Sequence, residues 1–190
     1  MSPLFIFVGV VLYISRKDSK PGRIGRVLIG LGLMLLALRL VVEATEPLLQ
    51  APAVRTLLAS VSSDLFMELL LGAVLAVLAY SSLAVVLLIA AMASSGAIPL
   101  DVALGLTLGA NLGSGLVAAL TTAKSAVEER QVTIGNLLFK IMGVAIVAPF
   151  MGLWVVYVRP HIAGAGQNVV LFHLAFNIFN SVCFIGLTST

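Results

Sequence analysis

Apolar runs of helix length, separated by short polar breaks, repeat along the chain. Residues 3–14 form the first run, too short for the roughly 20 residues a helix needs to cross a bilayer. Residues 27–42 form the second span, where Gly30 and Gly32 favour close helix contact. The stretch 43–64 is more polar. Val54, Leu57, Leu58 and Val61 recur there at helical spacing, which predicts an amphipathic helix lying at the interface. Residues 64–93 are apolar apart from Asp64, Glu68 and the step Tyr80-Ser81-Ser82. As one helix this stretch crosses once; as a hairpin each arm is too short to cross, and the chain returns to the side it left. Ser94-Ser95-Gly96-Ala97-Ile98-Pro99 reads as a loop. Pro99 then opens a helix over 99–119, with Asp101 in its first turn, complementing the positive helix end. Residues 123–131 read as a charged loop, 132–158 as a long span kinked near Pro149, and 169–185 as a last segment short of a full span.

Composition sharpens this pattern. The chain is 61% hydrophobic and 10% charged; soluble domains carry about 25% charged residues. An all-α membrane protein follows: a polytopic helical bundle, read as a single membrane-embedded domain over 1–190. The lone cysteine, Cys183, excludes a disulfide framework or a cysteine metal cluster. Arg16, Lys17, Lys20, Arg23 and Arg26 are opposed only by Asp18, which places that loop in the cytoplasm. The net charge of +3 thus reads as topology in a multi-pass plasma (inner) membrane protein, not as nucleic-acid binding. Residues 1–14 lack a basic start and a cleavage site, so they read as a short or truncated membrane segment, not a signal peptide.

Two polar interruptions carry the candidate chemistry. One is Tyr80-Ser81-Ser82; the other is Gly109-Ala110-Asn111-Leu112-Gly113-Ser114-Gly115. Backbone broken at membrane depth survives only inside protein or beside a water-filled cavity. Two such breaks predict a site made of half-helix ends: a hairpin or broken helix at the first, a discontinuous helix at the second. Free N–H groups would donate to an anion and free C=O groups would face a cation. Tyr80, Ser81 and Ser82 add hydroxyls, and Gly109, Gly113 and Ser114 allow close backbone approach. Asn111 adds a carboxamide that donates to an anion or accepts toward a cation. His173 and Asn177, one turn apart on the last segment, read as a bond between helices or a secondary ligand pair. Arg39 lies near the end of an apolar run, where snorkelling or a role near the anion fits; Lys140 lies inside one, where snorkelling or a paired interior role fits.

These residues resemble one repeat of the sodium/phosphate cotransporter family. Tyr80-Ser81-Ser82-Leu83-Ala84 matches the family's serine motif, and Leu108-Gly109-Ala110-Asn111-Leu112-Gly113-Ser114 matches its Gly-Ala-Asn-Leu-Gly element. Phe172-His173-Leu174-Ala175-Phe176-Asn177 is similar to a His-x-x-Phe-Asn element of the same family. The resemblance implies sodium-coupled symport of inorganic phosphate, with phosphate at Tyr80, Ser81, Ser82, Gly109, Asn111, Gly113 and Ser114. It implies sodium as coupling ion at Ser82 and Asn111, no other cofactor, and no catalysis.

Two departures stand out. Tyr80 occupies the family's glutamine position and Leu83 its third serine, which removes oxygen ligands. The family places its site between two inverted repeats, and one is present. The chain is then a fragment, or half of a pair with a second copy, or a degenerate half without transport of its own. An intramembrane lipid-pyrophosphate phosphatase is the alternative from another class; the interruptions offer it no carboxylate, histidine or arginine.

Overall fold

A computed structural model of the chain describes residues 2–15, 19–50 and 64–187. They form helices α1 (Ser2–Ser15), α2 (Lys20–Gln50), α3 (Leu65–Ala79), α4 (Ser82–Ser94), α5 (Leu100–Thr121), α6 (Val127–Val147) and α7 (Ala165–Phe184), with no strand among the described residues. The chain is an all-α membrane protein: α5, the apolar run Val127–His161 and α7 are each long and apolar enough to cross a bilayer. Two compact units divide it, Met1–Leu48 and Leu49–Thr190. The amphipathic helix read over 43–64 falls mostly outside the described residues.

In the first unit, α1 and α2 run antiparallel at close range. A Cβ on Gly9 would lie 2.8 Å from the Gly25 carbonyl oxygen, and one on Gly32 would lie 2.9 Å from the Ile6 nitrogen. Gly32 therefore acts as the sequence predicts, while Gly30 faces open space. The Arg26 guanidinium sits 5.3 Å from the centre of the Tyr13 ring, a cation–π contact. Arg39 bonds Glu43 at 2.6 Å, one turn on, on an exposed face.

The second unit is built around α5. Every residue from Val102 to Asn111 is buried, so this helix is apolar all round because it is enclosed all round. One side packs Val102, Ala103 and Leu106 against Val85, Val86 and Ile89 of α4 and Val169 of α7. The other packs Leu104 and Leu108 against Val144, Phe172 and Phe176, with Trp154 edge-on to Phe172 at 5.2 Å.

The 64–93 stretch is a hairpin. Tyr80 takes a left-handed conformation (φ 50°, ψ 21°) that ends α3, and Ser81 caps α4 by accepting from the Ala84 N–H at 3.2 Å. Contacts fix the directions. Glu68, Leu69 and Ala73 of α3 face Gly105, Gly109 and Gly113 of α5 in ascending order, so these helices are parallel. The five-residue link from Ser94 to Leu100 folds α4 back along α5, so α3 and α4 are antiparallel arms. Neither arm, at 15 and 13 residues, is long enough to cross.

The structure departs from the sequence pattern in three places. The second polar interruption does not break its helix: α5 runs unbroken from Leu100 to Thr121. Its glycines are spaced four apart and seat α3, so backbone regularity is what makes the close contact possible. The loop read over 123–131 ends at Ala126: Glu128, Glu129 and Arg130 lie at the start of α6, where the two glutamates complement the helix end. The last helix begins at Ala165, four residues before 169, and its 20 residues make a full span. The helix is irregular at Pro149, as expected, with a 3₁₀ turn over Ala148–Phe150 and π and 3₁₀ turns over Trp154–Val158 and Arg159–His161.

Candidate functional site

The polar side chains of the buried helix α5 converge on α7 and α6. Asn111, 1% exposed, gives one amide hydrogen to the Thr107 carbonyl at 2.9 Å and the other to His173 Nδ1 at 3.1 Å. Its oxygen accepts from Asn177 Nδ2 at 3.1 Å, and Asn177 also donates to the His173 carbonyl at 2.8 Å. Ser114 donates to the Asn111 carbonyl at 2.8 Å and accepts from Lys140 Nζ of α6. A chain of bonds thus runs from Asn177 through Asn111 and Ser114 to a lysine ammonium. In a low-dielectric interior such a network fixes geometry, because each unpaired member would be costly.

The network opens on a cavity of ≈ 320 Å³ between α6 and α7. Asn136, Lys140, Asn177, Asn180 and Ser181 give it polar walls, and Phe139 stacks on Phe184 at 4.7 Å at one end. The Asn180 oxygen is buried there without a partner among the described residues. Lys140 has no carboxylate in ion-pair range among the described residues. One ammonium, several amides and hydroxyls around a cavity make a setting that favours a small oxyanion.

The predicted site residues therefore separate. Asn111, Ser114, His173 and Asn177 come together. Gly109 and Gly113 do not join them: they face α3, where a Cβ at either would lie 2.9 Å from the Leu69 or Ala73 Cα. Their N–H groups lie inside a continuous helix and are spent on its own bonds, so the anion nest expected of them is not formed. Tyr80, Ser81 and Ser82 lie at the hairpin tip, with Tyr80 exposed. Among the described residues no hydrogen bond joins them to the Asn111 network. Ala76 packs at Gly113, so the tip lies about one helical turn farther along α5. The Asn111 oxygen, expected to face sodium, is engaged by Asn177 and keeps one lone pair.

Lys140, Asn136, Asn180 and Ser181 are the residues sequence reasoning did not assign to the site. The signal was present: Lys140 is charged in mid-span, and Asn177, Asn180 and Ser181 share a helix face at spacings of three and four. At the tip, Ser81→Ala is expected to lower stability by about 1 kcal/mol through the lost cap, while Ser81→Gly loses only a few tenths. Thermal unfolding of both variants measures this. Ser81→Gly therefore separates the loss of the hydroxyl from the loss of the cap.

Comparison with known proteins bears on this arrangement. A family profile described as Na+/Pi-cotransporter matches residues 44–181. The chain is 44% identical over 178 residues to the "Putative inorganic phosphate export protein YjbB" of Escherichia coli (strain K12), covering 94% of this chain and 33% of that protein. It is 41% identical over 185 residues to the protein of the same name in Salmonella typhimurium, covering 97% and 34%. It is 23% identical over 184 residues to the "Uncharacterized protein YqeW" of Bacillus subtilis (strain 168), covering 97% and 60%. The chain thus spans about a third of the length of the phosphate export proteins it matches. No solved structure matches it. With a profile that covers most of the helical bundle and relatives aligned over nearly the whole chain, this protein belongs to the Na+/Pi-cotransporter family.

Proposed function

We propose that the chain is one repeat of a transporter that carries inorganic phosphate across the plasma membrane, with its phosphate contacts at the Lys140 cavity. The observation that carries this reading is the ammonium of Lys140, half-buried in mid-span and joined by Ser114 to the Asn111–His173–Asn177 network. A cation at membrane depth needs a counter-charge. Phosphate supplies one, and the amides of Asn136 and Asn180, which also line the cavity, supply donors around it. This replaces the neutral cage of helix ends with a site bearing a single positive charge. A single charge attracts the anion while still permitting release.

Sodium is the coupling ion in this reading, supported by the family description. The relatives' printed names point to export, so the flux is to be measured both ways. The second repeat comes from the same polypeptide or from a second copy. The test is radiolabelled phosphate flux in proteoliposomes carrying the intact protein, with sodium inside, outside or absent. Lys140→Met is expected to reduce flux at least about tenfold, the loss of one charge-assisted bond. Wild-type flux in folded Lys140→Met refutes the site. Flux indifferent to sodium refutes the coupling and leaves phosphate transport standing.

A further inference from the structure

A second polar cavity lies at the head of α7, at the end of the bundle where α5 also begins. It measures ≈ 460 Å³ and is lined by Arg159, Gly164, Ala165, Asn168 and the start of α5 at Leu100. Three features there have no partner among the described residues. The start of α7 has no side-chain cap: Gly164 is extended (φ −146°, ψ 148°), and the first N–H groups of a 20-residue helix are left over. Arg159 is exposed and forms no ion pair among the described residues. Asn168 is 1% exposed; its Nδ2 donates to the Gly164 carbonyl at 3.0 Å, and its oxygen is buried with no partner among the described residues.

The mixture of needs is specific. The helix start and the guanidinium are donors and favour an anion. The Asn168 oxygen is an acceptor and needs a donor. It cannot satisfy itself by turning the amide over, because its nitrogen already serves the Gly164 carbonyl. A fully deprotonated oxyanion would leave that oxygen facing another acceptor. A phosphate group that retains a P–O–H supplies both: charged oxygens toward Arg159 and the helix start, and a hydroxyl toward Asn168.

We propose that this cavity binds a protonated phosphate group, at a site separate from the Lys140 cavity. Along α5 the level of Leu100 is eleven residues from Asn111, about 16 Å at helical rise. The two cavities therefore lie at different depths of one bundle, with the α7 site at the end of the spanning helices. The phosphate is free inorganic phosphate or the monoester headgroup of a lipid, which present the same oxygens and hydroxyl.

The test uses purified protein carrying Lys140→Met, so that the deeper cavity does not dominate, and reads thermal stability at constant ionic strength. Inorganic phosphate is expected to raise the melting temperature and sulfate, which has no hydroxyl at neutral pH, to raise it much less. Arg159→Gln, at an exposed position where folding is safe, is expected to weaken the response to both anions. Asn168→Leu is expected to abolish the preference for phosphate over sulfate. In nanodiscs, a rise with phosphatidic acid over phosphatidylcholine, lost in Arg159→Gln and absent with inorganic phosphate, assigns the group to a lipid. Equal rises with phosphate and sulfate overturn the proposal, as does the absence of any rise with inorganic phosphate and with phosphatidic acid. So does an unchanged phosphate response in Arg159→Gln. These outcomes are independent of transport, so a failure here is distinct from a failure at Lys140.

Discussion

Gly109→Val is expected to destabilise the bundle by about 3 kcal/mol, at the upper end of overpacking costs. A Cβ there meets the Leu69 backbone, which lacks the freedom of a side-chain tip to move aside. The same holds for Gly113 against Ala73. Gly135→Val on α6 is the control, since nothing lies within 4 Å of its added carbon; a change within about 0.5 kcal/mol is expected. Thermal unfolding and size-exclusion profiles in detergent measure the three variants. The result also decides between two roles for the Gly-Ala-Asn-Leu-Gly stretch. If Gly109→Ala folds normally but loses phosphate binding, the glycines contact the anion and the packing account is wrong.

Asn111→Leu is expected to bring phosphate flux to background. It removes the amide between His173 and Asn177 and leaves His173 Nδ1 only the longer contact to Asn177 Nδ2 at 3.4 Å. The folding cost of a buried polar group left poorly paired is about 1–3 kcal/mol, so the variant is assayed below its melting temperature. Pairing it with Asn177→Leu in a double-mutant cycle is expected to show coupling of about 0.5–3 kcal/mol in stability, because the two side chains bond each other. Wild-type flux in folded Asn111→Leu would remove this network from the transport site. Additive stability effects would show that the Asn111–Asn177 bond contributes nothing.

Much of the fold was legible because it follows from local rules. The Tyr80-Ser81 step interrupts an apolar run with a residue type that caps helices, and it became the cap of α4. Pro149 disturbed its helix as the missing N–H requires. The Gly109–Gly115 stretch misled because glycine has two uses in a membrane helix. Freedom to unwind and room for a neighbour look identical in sequence. The choice depends on whether another helix lies alongside, and here α3 does.

The amino-acid order by itself determined that this chain is a helical membrane protein, where its apolar spans lie, and that polar residues interrupt them at Tyr80, Asn111 and His173. Hydrophobic run length and side-chain type set those features, and both are local. Only the tertiary structure decided that Asn111, His173, Asn177, Ser114 and Lys140 share one network. The Asn111 and His173 amide–imidazole pair is 62 residues apart along the chain, and the register of three packed helices brings it to 3.1 Å. That register is fixed by small residues against backbone and by aromatic rings against leucines, a complementarity of surfaces that no single helix carries.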